Sequence, residues 1–168
     1  MCITGRIDPS RICIVGGKLF ARIEAGALRA ERDVYELDDL VGRTLDRLGR
    51  RIGSRPLEVD LAARDSIDAA VDECGGSVDA VLSCAGVADG TPGIERINFI
   101  GHRHLIDRMI DAGKLGRGAA IGFISSAAGL GWEKNLAVLQ ELLATPDFDS
   151  AVAWVKERDM ANYYWMKQ

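Results

Sequence analysis

Two apolar runs, "SVDAVLSCAG" at 77–86 and "GAAIGFISSAAG" at 118–129, constrain this chain more than any other feature of it. Each is a continuous apolar stretch of strand length that ends in small residues, the pattern of a strand covered on both faces of a sheet. Between them, after the Gly/Pro loop "ADGTPG", the segment from Ile94 to Ala112 has helical periodicity. Ahead of the first run, "RPLEVD" is a short extended stretch ending in an acid. "ARDSIDAAVDECGG" then places Ile67, Ala70 and Val71 at helical spacing before a glycine stop. Strand, helix, strand, helix, strand predicts an α/β fold on a parallel sheet. Right-handed crossovers would carry its helices to both faces.

The N-terminal third supports a weaker reading. "RICIV" at 11–15 is a candidate first strand, and "GGKLFARIEAGALRA" the helix it would feed. "DVYELDD" at 33–39 is a candidate second strand ending in acids, followed by "LVGRTLDRLGRRIG" as a second helix. With 168 residues, 48% hydrophobic and 27% charged, the chain has the length and mix of one soluble globular domain. A net charge of -4 leaves no basic footprint for nucleic acid. No apolar run reaches the length of a membrane span, and no signal peptide opens the sequence. Cys2, Cys13, Cys74 and Cys84 lack CxxC spacing, which reads as reduced cytoplasmic thiols and not as a metal site or disulfide framework. His102 and His104, two apart on a helix, point to different faces and read as solvated surface residues, so no metal is expected.

Ligands of open α/β sheets bind beyond the carboxyl ends of the strands. Three of those ends are chemically distinctive here: Asp60, the small residues 83–86, and "SSAAG" at 125–129. Near the end of the sequence, Tyr163 and Lys167 are four apart, one helical turn, and so face the same way. On its own such a pair occurs in many helices; its interest lies in coming after those strand ends.

Taken together, these segments resemble the short-chain dehydrogenase/reductase family, from about Leu45 to Lys167. "LEVDLAARDSI" is similar to the family's third strand and turn, whose aspartate, here Asp60, meets the adenine ring. "VDAVLSCAGVA" resembles the fourth strand and its Asn-Asn-Ala-Gly motif, with Ser83 and Cys84 in place of the asparagines and Ala85 and Gly86 retained. "ERINFIG" resembles the helix that carries the catalytic asparagine, Asn98. "IGFISSAAG" resembles the fifth strand, with Ser126, not Ser125, as the catalytic serine. Tyr-x-x-x-Lys is then Tyr163 and Lys167, with Tyr164 out of register. The resemblance implies a single Rossmann-like, doubly wound parallel sheet over residues 1–168. It also implies an oxidoreductase interconverting a secondary alcohol and a ketone with a nicotinamide cofactor.

In that chemistry Lys167 favours the phenolate of Tyr163, whose free pKa is about 10. Ser126 would hydrogen-bond the substrate oxygen, Asn98 would hold a relay water, and Tyr163 and Lys167 would meet the nicotinamide ribose. An acid at the end of the second strand, Asp38 or Glu36, favours NAD over NADP. Tyr163 follows Ser126 by thirty-seven positions, and residues 130–162 resemble the helical insertion of the 3α-hydroxysteroid dehydrogenase/carbonyl reductase subgroup, which takes part in homo-oligomer contacts. The implied substrate is a small apolar alcohol or ketone of the steroid-like class.

Two departures weigh against full activity. "RIDPSRICIVGG" stands where the family has a glycine-rich phosphate loop. Only Gly16 and Gly17 are left to approach a phosphate or simply to turn the chain, and the segment reads as a diverged loop or an altered reading frame. The sequence also stops at Gln168, one residue after Lys167, so the resemblance implies a sheet truncated after its fifth strand and the start of the following helix. The alternative expectation is a non-catalytic remnant that binds nucleotide or a partner without turnover.

Overall fold

The structure, a computed structural model, describes residues 12–16, 19–23 and 57–168. Asp38, Glu36 and Gly17, with the second strand and helix expected at 33–53, lie outside the described residues. Five strands form one sheet: β1 (Ile12–Gly16), β2 (Leu19–Ile23), β3 (Leu57–Glu58), β4 (Val78–Ser83) and β5 (Leu115–Phe123). Their order is β3-β2-β1-β4-β5. β4 runs parallel to both β1 and β5, whereas β2 is antiparallel to β1 and to β3. Four strands therefore share one direction, and the carboxyl ends of β3, β4 and β5 emerge on the same edge.

The antiparallel β2 corrects the expectation of a helix after β1. Gly16 is in register with Leu19, and Ile12 with Ile23. The reason is visible in composition: Phe20 and Ile23 favour extended backbone, and paired glycines between two apolar runs are a hairpin signal.

Helix α1 (Arg64–Glu73) buries Ile67, Ala70 and Val71, the stripe that the spacing predicts. After β4, a π-helical turn (Arg96–Ile100) leads without a break into α2 (Gly101–Asp111). The two helices lie side by side, joined at Asp68, which accepts from Arg108 Nε at 2.8 Å and meets His104 Nε2 at 2.9 Å. Gly101 permits an even closer approach. A Cβ there would overlap the Leu61 carbonyl oxygen and lie 2.8 Å from that of Arg96. The core beneath is apolar, with Val59, Val71, Val81, Leu105 and Met109 fully enclosed.

β5 differs from the buried strand expected from its sequence. Ile121 and Phe123 are 44% and 55% exposed, and among the described residues β5 pairs with β4 alone. Its pairing with β4 also slips between Val78 and Ala80, where Gly118, at φ 91°, absorbs the irregularity.

Between Ser126 and Tyr163 the chain forms two short 3-10 turns and two helices, α3 (Leu136–Leu143) and α4 (Phe148–Glu157). α4 starts at Asp147, whose carboxylate accepts from Ser150 N–H at 2.8 Å. Leu142, Phe148, Ala151 and Val155 join the core. Arg103 of α2 secures the hinge between α3 and α4, donating to the Thr145 carbonyl at 2.6 Å and its hydroxyl at 2.9 Å. The last helix, α5 (Tyr163–Met166), is capped by Asn162, which accepts from Trp165 N–H at 3.2 Å. Among the described residues, no helix is long and apolar enough to cross a membrane.

Candidate active site

Beyond Ser83 the chain leaves β4 through Cys84, Ala85 and Gly86, and the buried Asn98 holds the next residue in place. Asn98 Oδ1 accepts from Val87 N–H at 2.8 Å, and its Nδ2 donates to the Val87 carbonyl at 3.0 Å. Asn98 thus spends both polar atoms of its side chain on one residue of the strand-end loop. Burial pushes the Cys84 thiol above its ordinary 9.0, so it stays a neutral thiol at neutral pH.

The end of β5 meets α5 at the same edge. Lys167 Nζ donates to the Ile124 carbonyl at 3.1 Å and lies 5.6 Å from the centre of the Tyr163 ring. A Cβ added to Gly86 would sit 3.6 Å from that ammonium and 3.4 Å from Asn98 Oδ1, so glycine, ammonium and amide are neighbours. Ser125 Oγ donates to the Lys167 carbonyl at 3.1 Å. A Cβ on Gly129 would overlap that same carbonyl oxygen, so the Ser125–Gly129 turn lies directly on the backbone of Lys167. Ser126, half-buried, caps the turn by accepting from Ala128 N–H at 3.2 Å. Tyr163 N–H donates to Asp89 Oδ1 at 2.8 Å, which ties the start of α5 to the loop after β4. Tyr164, out of register, accepts through its hydroxyl from Asn135 at 3.1 Å.

Four segments distant in sequence thus bring Gly86, Asn98, Ser125–Gly129, Tyr163 and Lys167 to one edge. Asp60 follows β3 and bonds locally. It is exposed, with its carboxylate accepting from Ala62 N–H at 2.9 Å and its own N–H donating to Ser66 Oγ at 2.9 Å. A cavity of about 340 Å³ opens beside Lys167, with Asn98, Phe99, Ile106, Phe123, Leu143 and Met166 among its walls. Its lining is mainly apolar with a few convergent polar groups, the usual make-up of a small-molecule site.

The histidines correct the sequence reading. His104 is half-buried on Asp68, and His102 is only 5% exposed. His102 Nδ1 is hydrogen-bonded to Ser83 Oγ, and its Nε2 lies 3.0 Å from the Ala85 carbonyl oxygen. A carbonyl only accepts, so Nε2 carries the proton and Nδ1 accepts from the serine hydroxyl. Burial lowers the pKa of His102 below the ordinary 6.5. The Ala85 hydrogen bond raises it, and the nearby charge of Lys167 lowers it further. The signal was available in the sequence: His102 is four residues after Asn98, on the same helical face. Among the described residues, no cluster of side chains could hold a metal ion.

No family model matches the chain, and no curated protein does. The fold is similar to the crystal structure of the 3-alpha-hydroxysteroid dehydrogenase from Pseudomonas sp. B-0831 complexed with NADH, with a TM-score of 0.52 and 24% identity. The match covers 76% of this chain and 57% of that one, so this chain spans little more than half the length of the protein it resembles. The likeness establishes the fold, an open Rossmann-like α/β sheet with flanking helices.

Proposed function

We propose that this chain carries the catalytic half of an NAD(P)-dependent oxidoreductase of the short-chain dehydrogenase/reductase type, acting on a secondary alcohol or ketone. One observation carries the reading. The Lys167 ammonium is held between the Tyr163 ring, the Ile124 carbonyl and Gly86, while the turn that begins at Ser125 and Ser126 rests on the Lys167 backbone.

The roles follow from chemistry. Tyr163 is the proton donor and acceptor, Lys167 stabilises its phenolate, and Ser126 hydrogen-bonds the substrate oxygen. For Ser126 to do so, its hydroxyl keeps Ala128 N–H on a lone pair and donates its own proton outward. Asn98 acts first through position, with one acceptor site and one donor of its amide engaged by Val87 and the others left for a water. The apolar cavity walls suit an apolar alcohol or ketone, and the helices between Ser126 and Tyr163 support the 3α-hydroxysteroid dehydrogenase-like subgroup.

Residues at the nicotinamide end fit the cofactor, which when bound supplies or accepts the hydride. Gly86 leaves open space beside Lys167, whose ammonium can reach ribose hydroxyls. Residues at the pyrophosphate end fit poorly. A nucleotide-binding α/β domain offers phosphate the N-terminus of a helix after its first strand, and here strand β2 follows β1. This mismatch weighs against tight cofactor binding and favours the second reading, a remnant without turnover.

The test uses the chain as given and the chain extended with the corresponding C-terminal segment of the matched dehydrogenase. NADH formation is followed over a panel of secondary alcohols. Turnover in the extended protein, reduced about a hundredfold or more by Tyr163→Phe, supports the oxidoreductase. Equal turnover with and without the Tyr163 hydroxyl would refute the catalytic assignment, and NADH binding without any turnover would establish the remnant reading.

A further inference from the structure

The loop that leaves β4 is gripped at both ends by one continuous helical segment. Asn98, in the π-helical turn, holds Val87 through its N–H and carbonyl. His102, in the first turn of α2, holds the Ser83 hydroxyl and the Ala85 carbonyl. Gly86 lies between the two grips, exposed on the side that faces Lys167. We propose that His102 is a positioning residue of this site: through Ser83 and Ala85 it fixes the strand-end loop so that Gly86 faces Lys167 and a nicotinamide-bearing ligand. The inference rests on the oxidoreductase reading for its ligand, but not for its geometry.

Several features make histidine suited to this task. The neutral imidazole with its proton on Nε2 accepts at one end and donates at the other, matching a hydroxyl and a carbonyl with no group left unpaired. It is enclosed in the core edge, and its ring meets Phe123 of β5 edge-on, with centroids 6.0 Å apart. The end of β5 is therefore fixed by the same side chain that fixes the end of β4. A neutral ring also adds no second positive charge beside Lys167. Ser83 is itself only 3% exposed and His102 only 5%, so little water competes for the hydrogen bond between them.

The experiment compares the wild-type chain with His102→Phe, His102→Gln and Ser83→Ala, using NADH as the probe. Backbone amide signals of Ala85, Gly86 and Val87 are followed by NMR, and NADH is titrated against each protein. Nitrogen shifts of the His102 ring should identify the tautomer protonated at Nε2. His102→Phe preserves bulk but removes both polar contacts. It should move the three loop signals and weaken NADH binding about tenfold or more, in the range seen when a residue orienting a direct ligand is lost. His102→Gln keeps an amide donor for the Ala85 carbonyl and should restore most of the wild-type pattern, a rescue that a purely space-filling role would not give.

A folded His102→Phe protein with unmoved loop signals and unchanged NADH affinity would overturn the proposal. If His102→Phe does not fold, Ser83→Ala replaces it: the loop signals should move, and their staying in place would overturn the proposal equally. If the wild-type chain itself shows no NADH response, the oxidoreductase reading fails, and the loop signals alone decide the positioning role.

Discussion

Asn98 closes both ends of its side-chain amide on a single residue, Val87, at 2.8 and 3.0 Å. The amide is buried, so each bond lost leaves a polar group without water to replace its partner. Asn98→Ala should therefore destabilise the fold by roughly 2 kcal/mol, measured as a lower urea midpoint. Asn98→Asp keeps the acceptor for Val87 N–H but faces the Val87 carbonyl with a second acceptor. It should be at least as damaging at neutral pH. Faster hydrogen exchange at Val87 N–H in the alanine variant would locate the effect in the loop.

Gly101 and Gly129 each lie against a carbonyl oxygen that a Cβ would overlap, that of Leu61 and that of Lys167. Their surroundings differ, and so should the outcomes. At Gly101 the added methyl is caught between two backbone segments in the core, and Gly101→Ala should cost about 1–3 kcal/mol in unfolding free energy. At Gly129 the opposing backbone is that of Lys167, at the C-terminal cap of the four-residue α5, so the clash falls on the site and not on the core. Gly129→Ala should displace Lys167 from its place beside Gly86. In the extended protein it should reduce turnover, since about 1 Å of misplacement can cost roughly a hundredfold.

Much of this arrangement was legible in the sequence where a local pattern dictates a local structure. The apolar run at 77–86 and the stripe of Ile67, Ala70 and Val71 became β4 and α1 because periodicity and burial agree there, and the run at 118–129 supplied most of β5. "GGKLFARI" misled because its apolar residues fit a helix or a strand, and the choice fell to pairing with β1. The exposure of β5 could not be read from the strand's own apolar residues, and only the resemblance, with its sheet truncated after the fifth strand, pointed to it. His102 was misjudged for a related reason. Its spacing from Asn98 put it on the inner face of the helix, but only the end of β4, folded against α2, supplies its two partners.

The strand that follows β1 sets an expectation for cofactor affinity. The gain from a helix N-terminus comes from unpaired N–H groups aimed at the phosphates, whereas the N–H groups of a paired strand point along the sheet ladder. NADH should accordingly bind this chain in the millimolar and not the micromolar range, with Lys167→Met weakening it further. Calorimetric titration checks both. A micromolar dissociation constant would mean that a phosphate subsite exists elsewhere in the chain.

The buried His102 predicts how stability changes in acid. Its folded pKa lies below the ordinary 6.5, chiefly because burial disfavours the charged ring. Between the two values the unfolded chain binds a proton that the folded chain refuses, so unfolding is favoured as pH falls. The contribution of His102 is thus fully present above about 6.5 and is lost progressively as pH drops toward the folded value. Lys167 faces the ring from the end of α5, and Arg103 and Asp107 of α2 line the same cavity. All three groups are shared by every variant compared. Urea midpoints for wild type and His102→Gln, measured between about pH 5 and pH 8, separate the histidine from the carboxylates that also titrate in acid. The wild-type midpoint should fall more steeply below about pH 6.5 than that of the glutamine variant. Parallel curves would mean that His102 takes up its proton as readily in the folded chain as in the unfolded one, and that the seal around Ser83 and His102 opens to water.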